Sequence, residues 1–292
     1  MEKVFDSKFL TSNLSGSSLK RYSNISIGSK ATYLFAPHTV SELAEIIRTA
    51  VQNNLEVVPI GGCSNILFGN VGNRVIISDE NLPKICEING NLAHVSCNYK
   101  ISTFIEEMKK HDLGGLEFLA GIPAHLGGTV HMNAGAFDKC LSSYVEFIEV
   151  IDRKSNLKKI PFNEVECQYR HISVQDFILN VGLRLESKSA QEISSEIGRI
   201  MALRKERHPY DFPSLGSTFK NPDGYFAGIL IRDCGLAGKR IGDAQISEKH
   251  SNFFLNLGQA TFQDYKALIA LAQKEVFEQK GIKLELEVKV LN

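Results

Sequence analysis

Apolar residues along this chain follow two periods. From about Ser41 to Gln52, Leu43, Ile46, Ile47, Ala50 and Val51 recur at three- and four-residue spacing. That predicts a helix with one apolar stripe, capped by Ser41. Residues 101–111 also read as a helix. Residues 190–207 do too, with Ile193, Ile197, Ile200 and Met201 on one face and His208-Pro209 at the end. A further helix is expected from near Thr261 to about Gln279, stopped by Gly281. Between these lie apolar or alternating runs of strand character: VVPIGGCSNILF (57–68), VGNRVIISDE (71–80), AHVSCN (93–98), YVEFIEVIDR (144–153), DFILNVGLRLE (176–186) and KLELEVKVL (283–291). Residues 1–20 are polar and serine-rich and are expected to pack loosely. There is no internal repeat, and the most natural boundary falls near residues 187–191.

Composition narrows the class. At 292 residues with 43% hydrophobic and 23% charged, the chain can bury two or three subdomain cores. Lys plus Arg is 33 and Asp plus Glu is 33, which argues against a nucleic-acid binder while leaving room for a local cationic cluster. No run of 18 apolar residues occurs, and the N-terminus lacks a secretory apolar segment. The expectation is a cytoplasmic protein without membrane insertion, acting as a monomer. The cysteines at 63, 86, 97, 140, 167 and 234 show no metal-ligand spacing. They read as buried or semi-buried reduced thiols, with no metal site.

Candidate chemistry begins with glycine. Gly61-Gly62-Cys63-Ser64-Asn65 follows an apolar strand, and residues 114–137 hold six glycines in 24 positions. Such loops let backbone N–H groups converge on an anion, and two of them in one half of a chain suit an extended ligand with a diphosphate. Neither matches the dinucleotide or P-loop fingerprints. Asn65 and Asn133, beside glycines, serve either as left-handed backbone positions or as amides aimed at a ligand. Three further segments stand out: QYRHIS with Arg170, PSLGSTFKNP with Ser217, and LELEVKV, which sets Glu285 and Glu287 on one strand face. Alone, these read as a surface arginine, a turn serine and a solvated carboxylate pair.

Together they carry a resemblance. GIPAHLGGTVHMNAGAF, QYRHIS, PSLGSTFKNPDGYFAGILIRDCGLAGKRIGDAQISEKHSNFFLN and GIKLELEVKV occur in an order similar to the UDP-N-acetylenolpyruvoylglucosamine reductase family. The likeness runs from about Ile25 to the C-terminus. It implies an α+β fold: an FAD-binding domain of the vanillyl-alcohol-oxidase type in two subdomains, then a smaller C-terminal α/β substrate domain. The implied division is an N-terminal extension 1–24, the FAD domain 25–188 and the substrate domain 189–292. The implied reaction is NADPH-dependent reduction of an enolpyruvyl ether of a UDP-sugar in peptidoglycan precursor synthesis. The chain resembles the shorter branch, which lacks a tyrosine-bearing loop.

Carried over by position, the proton-donating serine is Ser217, and the polarising residues are Arg170 and Glu287. The flavin loops fall on Gly61, Gly62, Cys63, Ser64 and Asn65, and on Gly121, Ile122, Pro123, Gly127, Gly128, Asn133, Ala134 and Gly135. Lys220, Asn221, Lys249 and His250 are expected to contact substrate, and Lys220 is a candidate to acidify Ser217. Arg204, Lys205 and Arg207 read either as diphosphate contacts or as a solvated helix face. The pattern departs from the family at Gly28-Ser29, at Cys63, where glycine is usual, and at Ala124-His125, where Gly-Ser or Gly-Thr is usual. Two rivals remain at this stage. One is a flavin oxidase of the same fold with the flavin attached through His125 or Cys63. The other is a non-catalytic flavin or nucleotide-sugar binder.

Overall fold

In the computed structural model, which describes Val4, Phe5, Phe9 and residues 11–292, the periodic segments form the expected elements with shifted ends. Helix α1 spans Val40–Gln52. Its cap is Thr39 rather than Ser41: Thr39 has extended backbone, and its hydroxyl accepts from the Glu42 amide. Leu43, Ile46, Ile47 and Ala50 are buried, whereas Val51 falls off the stripe and is exposed. Helix α2 spans Ile101–Lys109. Helix α3, Leu126–His131, forms inside the glycine-rich stretch expected to be a loop. Helix α4 spans Ala190–Arg207. It buries Ile193 and Ile200 but leaves Met201 40% exposed, since eight residues from Ile193 is about 80° around a helix. Helix α5, Ala227–Asp233, has no counterpart in the sequence reading. Helix α6, Phe262–Lys280, opens with a Thr261–Asp264 capping box and closes on left-handed Gly281.

The chain gathers into two compact units. The first comprises the chain up to Ser17, Ala31–Gly62 and Asn73–Met201; the second comprises Ser18–Lys30, Cys63–Gly72 and Ala202–Asn292. The first unit is built on two larger sheets, with three two-stranded pairs beside them. A parallel sheet places Val75–Ser78 between Tyr33–Phe35 and Val57–Ile60. Its core includes Leu43, Ile46 and Ile47 of α1. Phe5 and Phe9 also belong to that core, so the N-terminal segment is better packed at these positions than its composition suggests. The other sheet is antiparallel and runs in the order Leu157–Pro161, Val145–Ile151, Phe177–Arg184, Leu92–Ser96, Cys86–Asn89. Phe104 and Met108 of α2 and Leu126 and Val130 of α3 bury in its core.

The second unit is built on a four-stranded antiparallel sheet in the order Ser214–Ser217, Phe253–Asn256, Ala244–Ile246, Arg240–Ile241. Leu230 and Ile231 of α5 and Tyr265, Leu268 and Val276 of α6 fill its core. The C-terminal strand is shorter than expected. Only Lys289–Leu291 forms a ladder, parallel to Ile66–Phe68, and an isolated bridge joins Leu286 to Phe219. All six cysteines are free thiols; Cys167 is exposed, contrary to the expected buried or semi-buried set. Among the described residues no helix is long and apolar enough to cross a membrane, and no His, Cys, Asp or Glu group is arranged to hold a metal.

Candidate active site

The two glycine segments meet in the first unit. A Cβ on Gly62 would lie 3.0 Å from Ala124 Cα, 3.1 Å from the His125 nitrogen and 3.1 Å from the Pro123 oxygen. The loops are therefore pressed backbone to backbone, and no side chain fits between them. The Leu126 and Gly127 amides donate to the Tyr99 and Cys97 carbonyls at 2.9 Å each, fixing the loop on the strand end. Gly127 is required there, because a Cβ would come 2.8 Å from Cys97 Cβ. Gly128 differs: its Cβ position has nothing within 4 Å, so its backbone is open to an incoming group.

Arg170 sits at the tip of a hairpin between Cys167–Gln168 and His171–Ile172. Its φ is +60°, a conformation usually given to glycine at such a turn position. Its Nη2 donates to the Gly135 carbonyl at 2.9 Å, and its guanidinium lies 4.7 Å from the Tyr169 ring centre. Asn133, itself left-handed at φ +39°, holds the hairpin from the other side. Its Nδ2 donates to the Gln168 carbonyl at 3.2 Å, and its Oδ1 accepts from the Ser142 amide at 3.1 Å. The left-handed reading of this asparagine therefore holds, while its amide is engaged by the protein's own backbone rather than aimed at a ligand. The Ser142 hydroxyl, 3.1 Å from Cys140 Sγ, holds that thiol below its usual range.

Ser217 and Glu287 are brought onto neighbouring segments of the second unit by the residue between them in space, Thr218. The Thr218 amide donates to the Asn252 carbonyl at 2.8 Å, and its carbonyl accepts from the Glu287 amide at 2.9 Å. Its buried hydroxyl lies 3.1 Å from the hydroxyl of Tyr265, whose ionisation burial pushes upward. Asn65 fastens the far side, its Nδ2 donating to the Glu287 carbonyl at 3.0 Å. The two carboxylates that look equivalent in sequence are not: Glu287 is half-buried, while Glu285 is exposed and 3.7 Å from the Lys220 ammonium. Tyr265→Phe strands the Thr218 hydroxyl in the core, and should lower stability by about 1–2 kcal/mol. An unchanged urea midpoint would show that the pair contributes nothing.

Comparison with known proteins gives this geometry a family. Residues 31–160 match the model described as an FAD binding domain, and residues 208–291 the one described as UDP-N-acetylenolpyruvoylglucosamine reductase, C-terminal domain. The reductase of that name from Fusobacterium nucleatum subsp. nucleatum is 36% identical over 92% of this chain and 96% of its own length. The chain belongs to the UDP-N-acetylenolpyruvoylglucosamine reductase family. The Clostridium novyi member is 33% identical over 100% of this chain and 95% of its own. The crystal structure of the Thermus caldophilus reductase superposes with a TM-score of 0.81 at 30% identity, covering 94% of this chain and 98% of that one. The fold is thus α+β with an FAD-binding domain, and the protein is an oxidoreductase.

The loops of this reductase-family chain fit FAD on structural grounds. Two backbone loops in contact, with an open face at Gly128, suit a ligand that needs amide donors and close approach. Cys63, where the family usually has glycine, keeps the glycine-like conformation at φ +45°, so the departure is met by accepted strain rather than a new loop shape. The expected substrate contacts are partly engaged by the protein itself. The Asn221 side-chain oxygen accepts from the Ala227 amide at 3.0 Å and so caps α5, and Lys249 Nζ donates to the Lys205 carbonyl at 2.8 Å. The His250 ring packs 4.7 Å from Phe253 and 5.7 Å from His208.

His208 carries a pH consequence. Burial, reinforced by Arg204, His250, Lys249 and Arg207, holds its pKa at about 4 against an ordinary 6.5. Between those values the unfolded ring binds a proton that the folded ring refuses, so stability falls as pH drops through this window and is level above it. The loss should reach about 2 kcal/mol at pH 5 relative to pH 7.5, and His208→Gln should shrink it. Denaturation curves that shift equally in both proteins would remove His208 from the account. Sequence reasoning missed Thr218, Tyr265 and the pairing of Asp79 with His125, because each depends on partners distant along the chain.

Proposed function

We propose that this chain reduces UDP-N-acetylglucosamine enolpyruvate to UDP-N-acetylmuramate for peptidoglycan precursor synthesis, using NADPH, with Ser217 as the proton donor. The observation that supports this most is the junction at Thr218, which ties the Ser217 strand to the Glu287 segment. The residues that would hold FAD are Gly61, Gly62, Cys63, Ser64 and Asn65, with Gly121, Ile122, Pro123, Gly127, Gly128, Asn133, Ala134 and Gly135. When bound, FAD supplies hydride transfer from NADPH to the terminal carbon of the enol ether.

The side chains handle the charge and proton that this leaves. Negative charge develops beside the substrate carboxylate. Arg170 suits it, because a guanidinium stays protonated and can bind a carboxylate through two donors. Glu287 serves if it carries its proton and donates it as a hydrogen bond, since a bare carboxylate would repel the same charge. Ser217 then delivers a proton to the carbon next to the carboxylate. Preorganised donors of this kind lower a barrier by ~3 kcal/mol each. Lys220, Asn221, Lys249 and His250 would contact the UDP-sugar.

Anaerobic mixing tests the reading. NADPH should bleach the absorbance of the bound flavin, and the enolpyruvyl substrate should then restore it. Bleaching that the substrate cannot reverse would refute the proposed reaction.

A further inference from the structure

The first unit contains a buried ion pair that the proposed chemistry leaves unused, and it lies where the two glycine loops touch. Asp79 follows the parallel strand Val75–Ser78 and is buried, its side chain 5% exposed. His125 Nδ1 lies 2.8 Å from its Oδ1 and 3.0 Å from its Oδ2. An ionised carboxylate only accepts, so Nδ1 carries the proton and the ring orientation is fixed. Gly61 packs against this pair: a Cβ there would be 3.0 Å from Asp79 Oδ2 and 3.2 Å from His125 Cβ. Gly62 packs on the His125 backbone.

Burial raises the Asp79 pKa, while the hydrogen bond and charge of His125 pull it back. A carboxylate is costly at such a depth unless it serves a partner. That partner keeps 15% of its side-chain surface accessible, and its Nε2 has no hydrogen bond among the described residues. Of the other titratable groups that act on Asp79, Glu80 adds a like charge. The buried Cys97 thiol is pushed well up, first by burial and then by Asp79, and so stays neutral. Asn98 secures the same corner, its Nδ2 donating to the Asp79 carbonyl at 3.1 Å and to the Leu82 carbonyl at 2.7 Å.

We infer that His125, oriented by Asp79, is a cofactor-positioning residue whose Nε2 binds the diphosphate of FAD where the two glycine loops meet. This rests on the FAD reading above. With a phosphate oxygen at Nε2, the ring bridges two anionic groups, Asp79 at one nitrogen and the diphosphate at the other.

The test titrates the deflavinated full-length chain with FAD and, separately, with ADP, which carries the diphosphate without the flavin ring. His125→Ala should weaken both by about ten-fold. His125→Gln, which keeps an N–H donor, should restore most of the loss. Because His125→Ala leaves a buried carboxylate unpaired, the double variant Asp79→Asn, His125→Ala is measured beside it and should show the same weakening with a normal melting curve. Affinities within two-fold of wild type for both ligands would overturn the assignment. So would a loss confined to FAD, which would place His125 at the flavin ring. A wild-type chain that takes up no FAD would instead sink the reading on which this rests.

Discussion

Ser217→Ala is expected to leave the reduction of bound flavin by NADPH within two-fold of wild type, while slowing reoxidation by the enolpyruvyl substrate by about 10²–10⁴-fold. The separation follows from how the serine is held. Its strand pairs with Phe253–Asn256, Gly216 before it takes a left-handed φ of +74°, and Thr218 after it is bonded to Asn252, Tyr265 and Glu287. None of these contacts uses the Ser217 side chain, so alanine removes a hydroxyl without moving the backbone. Lys220, the sequence candidate for acidifying that hydroxyl, has Glu285 as its ion-pair partner at 3.7 Å. Glu285 is exposed and Lys220 only half-buried, so that pair is weak and does not preclude a substrate contact. Anaerobic stopped-flow absorbance resolves the two half-reactions. Turnover within a few-fold of wild type would remove Ser217 as the proton donor.

Arg170→Gly should likewise separate stability from activity. Glycine accepts the φ of +60° without strain, so relief of roughly 1 kcal/mol offsets the lost Gly135 hydrogen bond and the contact with Tyr169. The melting temperature should therefore stay within a few degrees of wild type. Activity should fall by about 10²–10³-fold, because the guanidinium that would meet the substrate carboxylate is gone. Arg170→Lys should recover little, since an ammonium cannot reproduce the two-donor fork. Full activity in Arg170→Gly would mean that the strained conformation serves the hairpin alone.

How much of this was legible depends on the range of the interactions. The last helix announced itself locally, with Thr261 at its start, Gly281 at its end and a periodic apolar face between. Helix α3 did not, because LGGTVH carries two glycines that each disfavour a helix by about 1 kcal/mol. It forms because Leu126 and Val130 bury in the core and Gly127 must lie against Cys97. Arg170, Ser217 and Glu287 could be named in advance only through their resemblance to a family pattern. Their surroundings could not: the partners of Thr218 lie 34, 47 and 69 residues away, at Asn252, Tyr265 and Glu287. The difference between Glu285 and Glu287 was equally hidden, since strand alternation puts both on one face and says nothing of what covers it.

By itself the sequence determined the α+β class, the ends of the long helices, the glycine segments and the family. These follow from period, capping and ordered motifs, all carried by near neighbours along the chain. Tertiary structure alone decided which residues share a compact unit, sending residues 18–30 and 63–72 to join the C-terminal portion. It also decided that Cys63 bears a glycine's conformation, that Thr218 joins Ser217 to Glu287, and that Asp79 stands behind His125. The physical reason is the same in each case. A buried hydroxyl, a buried carboxylate or a strained φ is tolerated only where packing from distant segments compensates it, and no local pattern records which segments those will be.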